Sequence, residues 1–319
     1  MAVAAVTRQT APLDLDPASG LDHRLVNRSH QAPLGRFYRV QGRRLLLHRS
    51  GNGGPAVVFL PGAGLVGLDY LNVHDRVCEF TTSVLYDRGG TGWSDTAELP
   101  RTAAQVATEL HELLRAADVP APYVLVAHSI GGAYARRYAQ LFPEEMAGMV
   151  YLDAFHEDWD AYLPERLHLR PLDEPGTLQL RSTRLLAGGY YRRMFQQWPG
   201  EVRGPLLDGH LDLAWLRAGA RERSNQPQLR DELGAGGAVS DVPLIALTAL
   251  GIDPGMRVFL PRRVLLALNA GKRRLHEALA ASVAGGEHRT LDDARHSTIH
   301  LDCPDAVTQA VRDLWRRVC

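Results

Sequence analysis

The run Ala127-His128-Ser129-Ile130-Gly131-Gly132 constrains the fold more than any other stretch of this chain. It follows a short apolar run, Tyr123-Val124-Leu125-Val126, and opens a helical pattern, Ala133-Tyr134-Ala135-Arg136-Arg137-Tyr138. A turn that carries a buried strand straight into a helix leaves little room, so small residues must flank it. Such a turn lifts the serine oxygen out of the sheet and aims a helix N-terminus at it. The expected structure is a nucleophile elbow with Ser129 at its tip. A serine that merely eases a tight turn is the simpler alternative; the agreement of motif and context favours the nucleophile.

Strand-like and helix-like runs alternate around this elbow. Residues 37–40 and 45–48 read as an antiparallel hairpin about Gln41-Gly42, and 56–60 as an apolar strand ending at Pro61-Gly62-Ala63-Gly64. A further strand, 83–86, ends at Asp87-Arg88-Gly89-Gly90, and 102–117 has helical periodicity with Val106, Leu110, Leu113 and Leu114 on one face. Strands at 149–152, 244–248 and 287–291 follow, then a final helix from Pro304 to about Arg317. Strands of this kind, separated by helices, predict a mainly parallel sheet in an α/β domain. Residues 155–239 lack strand alternation and read as a helical insertion that leaves and re-enters one domain. The expected division is a core of residues 31–154 and 240–319, a helical cap of residues 155–239, and a flexible N-terminal arm of residues 1–30.

With 319 residues, 45% of them apolar and 23% charged, the chain can bury one large core, or one core and a smaller cap. Its formal net charge of zero gives no electrostatic case for nucleic acid or an anionic membrane. No run is long enough to span a bilayer, and the N-terminus lacks the basic start and apolar core of a signal peptide. Cys78, Cys303 and Cys319 are too few and scattered for a disulfide framework, and fit a reducing cytoplasm. The basic cluster Lys272-Arg273-Arg274 falls in a helical pattern and is expected to be a solvated face.

A serine hydroxyl needs a base within hydrogen-bond reach, and the base needs a partner that fixes its tautomer. His296, just after the last strand, is the candidate base, because loops at strand C-terminal ends share one crevice. His300 is its rival, four residues later. The His296/His300 spacing also suits a metal pair, but no glutamate follows His296 and no third ligand is apparent, so neither metal nor cofactor is expected. Two carboxylates compete for the acid. Asp153 is favoured, because it ends its strand without slack; the alternative, Asp253, sits further past its own strand, beside a proline. Two backbone amides are expected to receive the oxyanion, those of Ile130 and of Ala63 in the Pro61-Gly62-Ala63-Gly64 turn.

The glycine turn, the run Asp87-Arg88-Gly89-Gly90-Thr91-Gly92-Trp93-Ser94, the elbow and the late His296 together resemble the α/β-hydrolase superfamily across residues 37–318. The resemblance implies an eight-stranded, mostly parallel sheet with a helical lid inserted after the sixth strand. Two departures stand out: Ala127 replaces the first elbow glycine, and Pro61 replaces a histidine that often precedes the oxyanion glycine. The superfamily usually places its acid after the seventh strand, which favours Asp253. Members similar to haloalkane dehalogenases place it after the sixth, which matches Asp153. Those dehalogenases and the related epoxide hydrolases use an aspartate nucleophile, and Ser129 argues against both activities.

The leading expectation is a serine hydrolase that cleaves an ester, thioester or lactone of a partly apolar small molecule through an acyl-enzyme. Acyl transfer or cofactor-free perhydrolysis on the same residues is the second, and a non-enzymatic small-molecule sensor the third.

Overall fold

The strands of the chain are β1 (Arg36–Val40), β2 (Arg43–Ser50), β3 (Ala56–Leu60), β4 (Ser83–Tyr86), β5 (Tyr123–His128), β6 (Met146–Leu152), β7 (Leu244–Ala249) and β8 (Glu287–Leu291). They join into one sheet in the order β1-β2-β4-β3-β5-β6-β7-β8. β2 runs antiparallel to β1 and β4, and the remaining pairs are parallel. The structure is a computed structural model that describes residues 31–239, 241–257 and 260–319. The expected N-terminal arm, residues 1–30, lies outside them.

Side-chain alternation splits the interior into two cores, one on each face of the sheet. On β5, Tyr123, Leu125 and Ala127 point to one core, while Val124 and Val126 point to the other. On β3, Ala56, Val58 and Leu60 join the first and Val57 and Phe59 the second. The first core is covered by α2 (Ala103–Ala116) and α3 (Gly131–Leu141), through residues such as Val106, Leu110, Ala133 and Tyr138. The second is covered by α1 (Leu71–Val77) and, at the C-terminus, by a helix over Pro304–Val318, through Val73, Val307, Val311 and Leu314. Helix α2 starts where Thr102 Oγ1 accepts from the Gln105 amide (3.1 Å) and Gln105 Oε1 accepts from the Thr102 amide (3.0 Å), a reciprocal cap.

Between β6 and β7 the chain is helical: α4 (Thr177–Met194), α5 (Gly200–His210), α6 (Leu213–Ser224) and α7 (Gln226–Ala235). Phe195 and Trp198 are buried in the same core as Phe59 and Tyr70, so these aromatics pack the protein interior. Helix α8 (Arg262–Ala281) follows β7, and the C-terminal helix is α9 (Pro304–Val318). Lys272 on α8 corrects the expectation of a solvated basic face: Arg273 and Arg274 are exposed, but Lys272 is only 3% exposed. It falls on the stripe that α8 turns inward, with Leu265, Asn269, Leu275 and His276. Among the described residues no helix is long and apolar enough to cross a membrane.

Candidate active site

Sheet register brings the central residues together. His128, the last residue of β5, is paired with Leu152, the last of β6, so Ser129 and Asp153 each stand one step past the same rung. Both then turn into the left-handed region, with φ of 53° and 48°. Non-glycine residues hold that conformation only when their surroundings enforce it, at about 1–3 kcal/mol each. The surroundings here are backbone bonds: the Ser129 amide donates to Leu152 O (3.3 Å), the Phe155 amide to Ser129 O (2.8 Å) and the Asp153 amide to Leu247 O (2.8 Å). Gly131 begins α3 against β3, where a Cβ would collide with the Leu60 carbonyl oxygen.

His296 enters from the loop after β8. Its Nδ1 donates to Asp153 Oδ2 at 2.7 Å, which leaves Nε2 to accept from the Ser129 hydroxyl at 3.1 Å. The Asp153 side chain is fully buried, whereas the His296 side chain is 33% exposed and reachable. Asp153 has two more donors, the Ala249 amide on Oδ1 (3.2 Å) and the Lys272 ammonium on Oδ2 (2.5 Å). Burial alone would push its carboxyl up. The Lys272 charge and the His296 ring outweigh that and hold it well below the usual carboxylate range.

Of the two candidate acids, the structure brings Asp153 to the His296 ring. Asp253 stands beyond β7, lining a cavity of about 130 Å³ together with Lys272 and His296. His300, the rival base, is fully buried with its ring 4.4 Å from that of Tyr70, and no hydrogen bond joins it to Ser129. Burial pushes its ring down to about 4. Among the described residues, no group of three His, Cys, Asp or Glu side chains is placed to hold a metal ion.

The Pro61-Gly62-Ala63-Gly64 turn is held against the elbow: a Cβ on Gly62 would stand 3.3 Å from Ser129 Cβ. Side chains from distant elements fix its backbone. Arg88 donates to Pro61 O (2.7 Å) and to Gly62 O (3.0 Å), and the Gly64 amide donates to Glu222 Oε2 (2.9 Å). Arg88 and Glu222 form an ion pair at 2.8 Å, with 1% and 3% of their side chains exposed. The Ala63 amide and the Ile130 amide meet no acceptor among the described residues.

Four residues at the site were not singled out by sequence reasoning: Tyr70, His128, Glu222 and Lys272 in its buried role. His128 Nε2 donates to the His296 carbonyl (2.8 Å), so Nδ1 accepts from the Tyr70 hydroxyl (2.7 Å), which accepts in turn from the Gly62 amide (3.3 Å). Burial, then the neighbouring His296 and His300 rings, keeps the His128 ring far below its ordinary range and neutral. One chain of bonds thus ties the glycine turn, the elbow and the His296 loop. Only Lys272 left a signal in the sequence, its place on the apolar stripe of a helix.

Comparison with known proteins agrees with this frame. Cfl2 of Burkholderia cenocepacia superposes with a TM-score of 0.66 at 23% identity, over 88% of this chain and 95% of that one. An esterase of Thermogutta terrifontis superposes with a TM-score of 0.56 at 19% identity, over 89% of this chain and 98% of that one. At such identities the likeness is one of fold. An uncharacterized protein of Bacillus subtilis, YqjL, is 35% identical over 127 residues, which is 38% of this chain and 49% of that protein. A second, of Schizosaccharomyces pombe, is 44% identical over 85 residues, 27% of this chain and 15% of that protein. The chain therefore spans half or less of the length of these curated relatives. Residues 57–310, from β3 into α9, match the family described as the alpha/beta hydrolase family, and with the strand order and the strained serine turn already in view, the chain belongs to that family.

Proposed function

We propose that this protein is a serine hydrolase that cleaves an ester, thioester or lactone carbonyl through an acyl-enzyme. The observation that carries the proposal is the single His296 ring bonded to Ser129 on one side and Asp153 on the other. In this reading Ser129 Oγ attacks the carbonyl carbon while His296 Nε2 takes its proton, and Asp153 holds the imidazole and the charge it gains. The Ala63 and Ile130 amides receive the oxyanion. Collapse expels the alcohol, thiol or ring oxygen, protonated by His296. Water activated by the same ring then releases the acid.

The helices of residues 155–239 act as a lid in this proposal. Substrate preference for a partly apolar molecule rests on the cavity beside His296, where Trp159, Ile252, Leu265 and Leu268 supply the walls. Est816, a protein of similar fold at 16% identity, is described as an N-acyl homoserine lactone degrading enzyme, which is reason to include lactones among the substrates tried. The free thiols of Cys78, Cys303 and Cys319 suit a reducing compartment such as the cytoplasm.

The test is labelling with a fluorophosphonate probe, followed by turnover of acyl esters, thioesters and lactones of graded chain length. Label on Ser129 is expected, with turnover lost by about 10⁵-fold or more in Ser129→Ala. Turnover that survives in Ser129→Ala, or a wild-type protein that neither labels nor turns over, rejects the proposal. Adding alcohol or peroxide acceptors and analysing the products separates hydrolysis from acyl transfer and perhydrolysis.

A further inference from the structure

A lysine bonded to the carboxylate that orients a catalytic histidine is an unusual neighbour, because it opposes what that carboxylate does. Lys272 Nζ and His296 Nδ1 both donate to one oxygen, Asp153 Oδ2, at 2.5 and 2.7 Å, so the two nitrogens stand within about 5 Å of each other. The Lys272 side chain is 4% exposed, and the second bond of its ammonium runs to the Ala249 carbonyl at 3.1 Å. Helix α8 presents this charge to the ends of β6 and β7 from its inward stripe, between Asn269 and His276.

A lone carboxylate beside an imidazole favours its protonation; a second cation on the same oxygen disfavours it. We propose that Lys272 is a positioning residue of the Ser129–His296–Asp153 relay, whose ammonium fixes the Asp153 carboxylate and opposes charge on His296, so that catalysis persists to lower pH than beside an unshared carboxylate. The inference rests on the function proposed above.

The other ionisable groups around the relay do not supply this effect. His128, at the end of β5, has its ring centroid 5.3 Å from that of His296 but is kept neutral by burial and by its two bonds. His276, one turn along α8, is fully buried; it donates to Ala154 O (2.9 Å) and accepts from Thr248 (2.7 Å), and burial lowers its ring as well. His300 is buried and lowered. Arg295 is engaged with Asp302. Asp253 faces the same cavity as Lys272 and carries the opposite sign. Lys272 is the cation that shares an oxygen with the His296 bond.

The experiment compares wild type, Lys272→Met and Lys272→Arg by the pH dependence of kcat/KM on the best acyl ester and of the fluorophosphonate labelling rate. Lys272→Met keeps the stem and removes the charge; its acid limb is expected to move up by about one pH unit or more. Lys272→Arg keeps the charge and is expected to hold the wild-type limb. A purely structural lysine would change stability or the plateau and leave the limb in place. A folded Lys272→Met with an unmoved limb, or a Lys272→Arg that moves as far as Lys272→Met, overturns the proposal. If Lys272→Met does not fold, Asp153→Asn is compared with Asp153→Asn/Lys272→Met, which carries no unpaired charge. The labelling limb of the double variant is expected above that of the single one, and coincident limbs overturn the proposal. A wild-type protein that takes no label rejects the hydrolase reading itself; a labelled wild type with unmoved limbs rejects only the role of Lys272.

Discussion

Asp153 Oδ2 accepts from the His296 ring and from the Lys272 ammonium at once, and each partner depends on the carboxylate for a different reason. The ring needs it for tautomer and orientation. The ammonium, on a side chain 4% exposed, needs it because an uncompensated charge there costs about 3–5 kcal/mol. Asparagine at 153 keeps the shape and removes the charge, so both losses should show together: kcat lower by about 10³–10⁴ and a clearly depressed melting temperature. Adding Lys272→Met removes the stranded cation. The double variant should recover most of the stability and little of the rate, and a double variant that melts as low as Asp153→Asn would contradict the ion-pair argument. The pH sign follows from the same pair. The Asp153 carboxyl is held below its ordinary 3.8, so its contribution to stability is present above that value and is lost as pH falls. Acid unfolding should therefore be shallower in the double variant than in wild type, read by melts from pH 7 downwards.

At the scale of elements, the glycine turn after β3 is built by parts far away in sequence. Arg88, just after β4, spans from the Pro61 and Gly62 carbonyls to Glu222 on α6, and Glu222 returns to the Gly64 amide. Both carboxylate oxygens accept, so Glu222→Gln must turn an amide donor toward either the guanidinium or the Gly64 N–H. The expected cost is about 3–5 kcal/mol of stability, as for a broken buried pair. If the turn donates to the oxyanion, kcat should also fall by about 10²-fold with KM nearly unchanged, checked by melting and steady-state kinetics. Unchanged kcat in a folded Glu222→Gln would separate the turn from the chemistry. This pair also marks where reading the sequence stops. Elements set by local periodicity and turn chemistry were legible: β3, β4 and β8 span the expected residues, and α2 starts at its Thr102 cap. Ser129 and His296 were legible because strand ends carry them to one edge. Asp153 was favoured over Asp253 only by its lack of slack, since the choice depends on the pairing of His128 with Leu152 between strands. Glu222 and the His128–Tyr70 bond were silent, because partners 134 and 58 residues apart leave no pattern along the chain.

Residues Ala32–Cys319 form one compact unit, and the helices between β6 and β7 are fastened to the sheet by buried polar links as well as by apolar packing. His210 on α5 bonds Asp69 at 2.8 Å, with 2% and 0% of the two side chains exposed. Trp198 donates to Leu68 O at 2.9 Å, and Glu232 on α7 accepts from the first amides of α2, Ala103 and Ala104, both at 2.7 Å. Removing these helices from the sheet would strand a carboxylate, a guanidinium and a helix N-terminus together, so their loss cannot be graded. Helix α4 is different: Leu178, Leu185 and Leu186 are 78%, 83% and 84% exposed, and its buried residues are only Leu180, Gly188 and Met194. Two levels of opening follow. Hydrogen exchange should release the amides of α4 well before those of α5 and α7, because few contacts hold it. Global unfolding should nevertheless be one transition. Trp159, Trp198 and Trp215 report the helical stretch and Trp93 and Trp315 the rest of the chain, so tryptophan fluorescence and far-ultraviolet circular dichroism should trace the same melting curve. A separate, earlier fluorescence transition would mean that residues 155–239 unfold as their own domain, and that the buried links are too weak to make them one cooperative unit with the sheet.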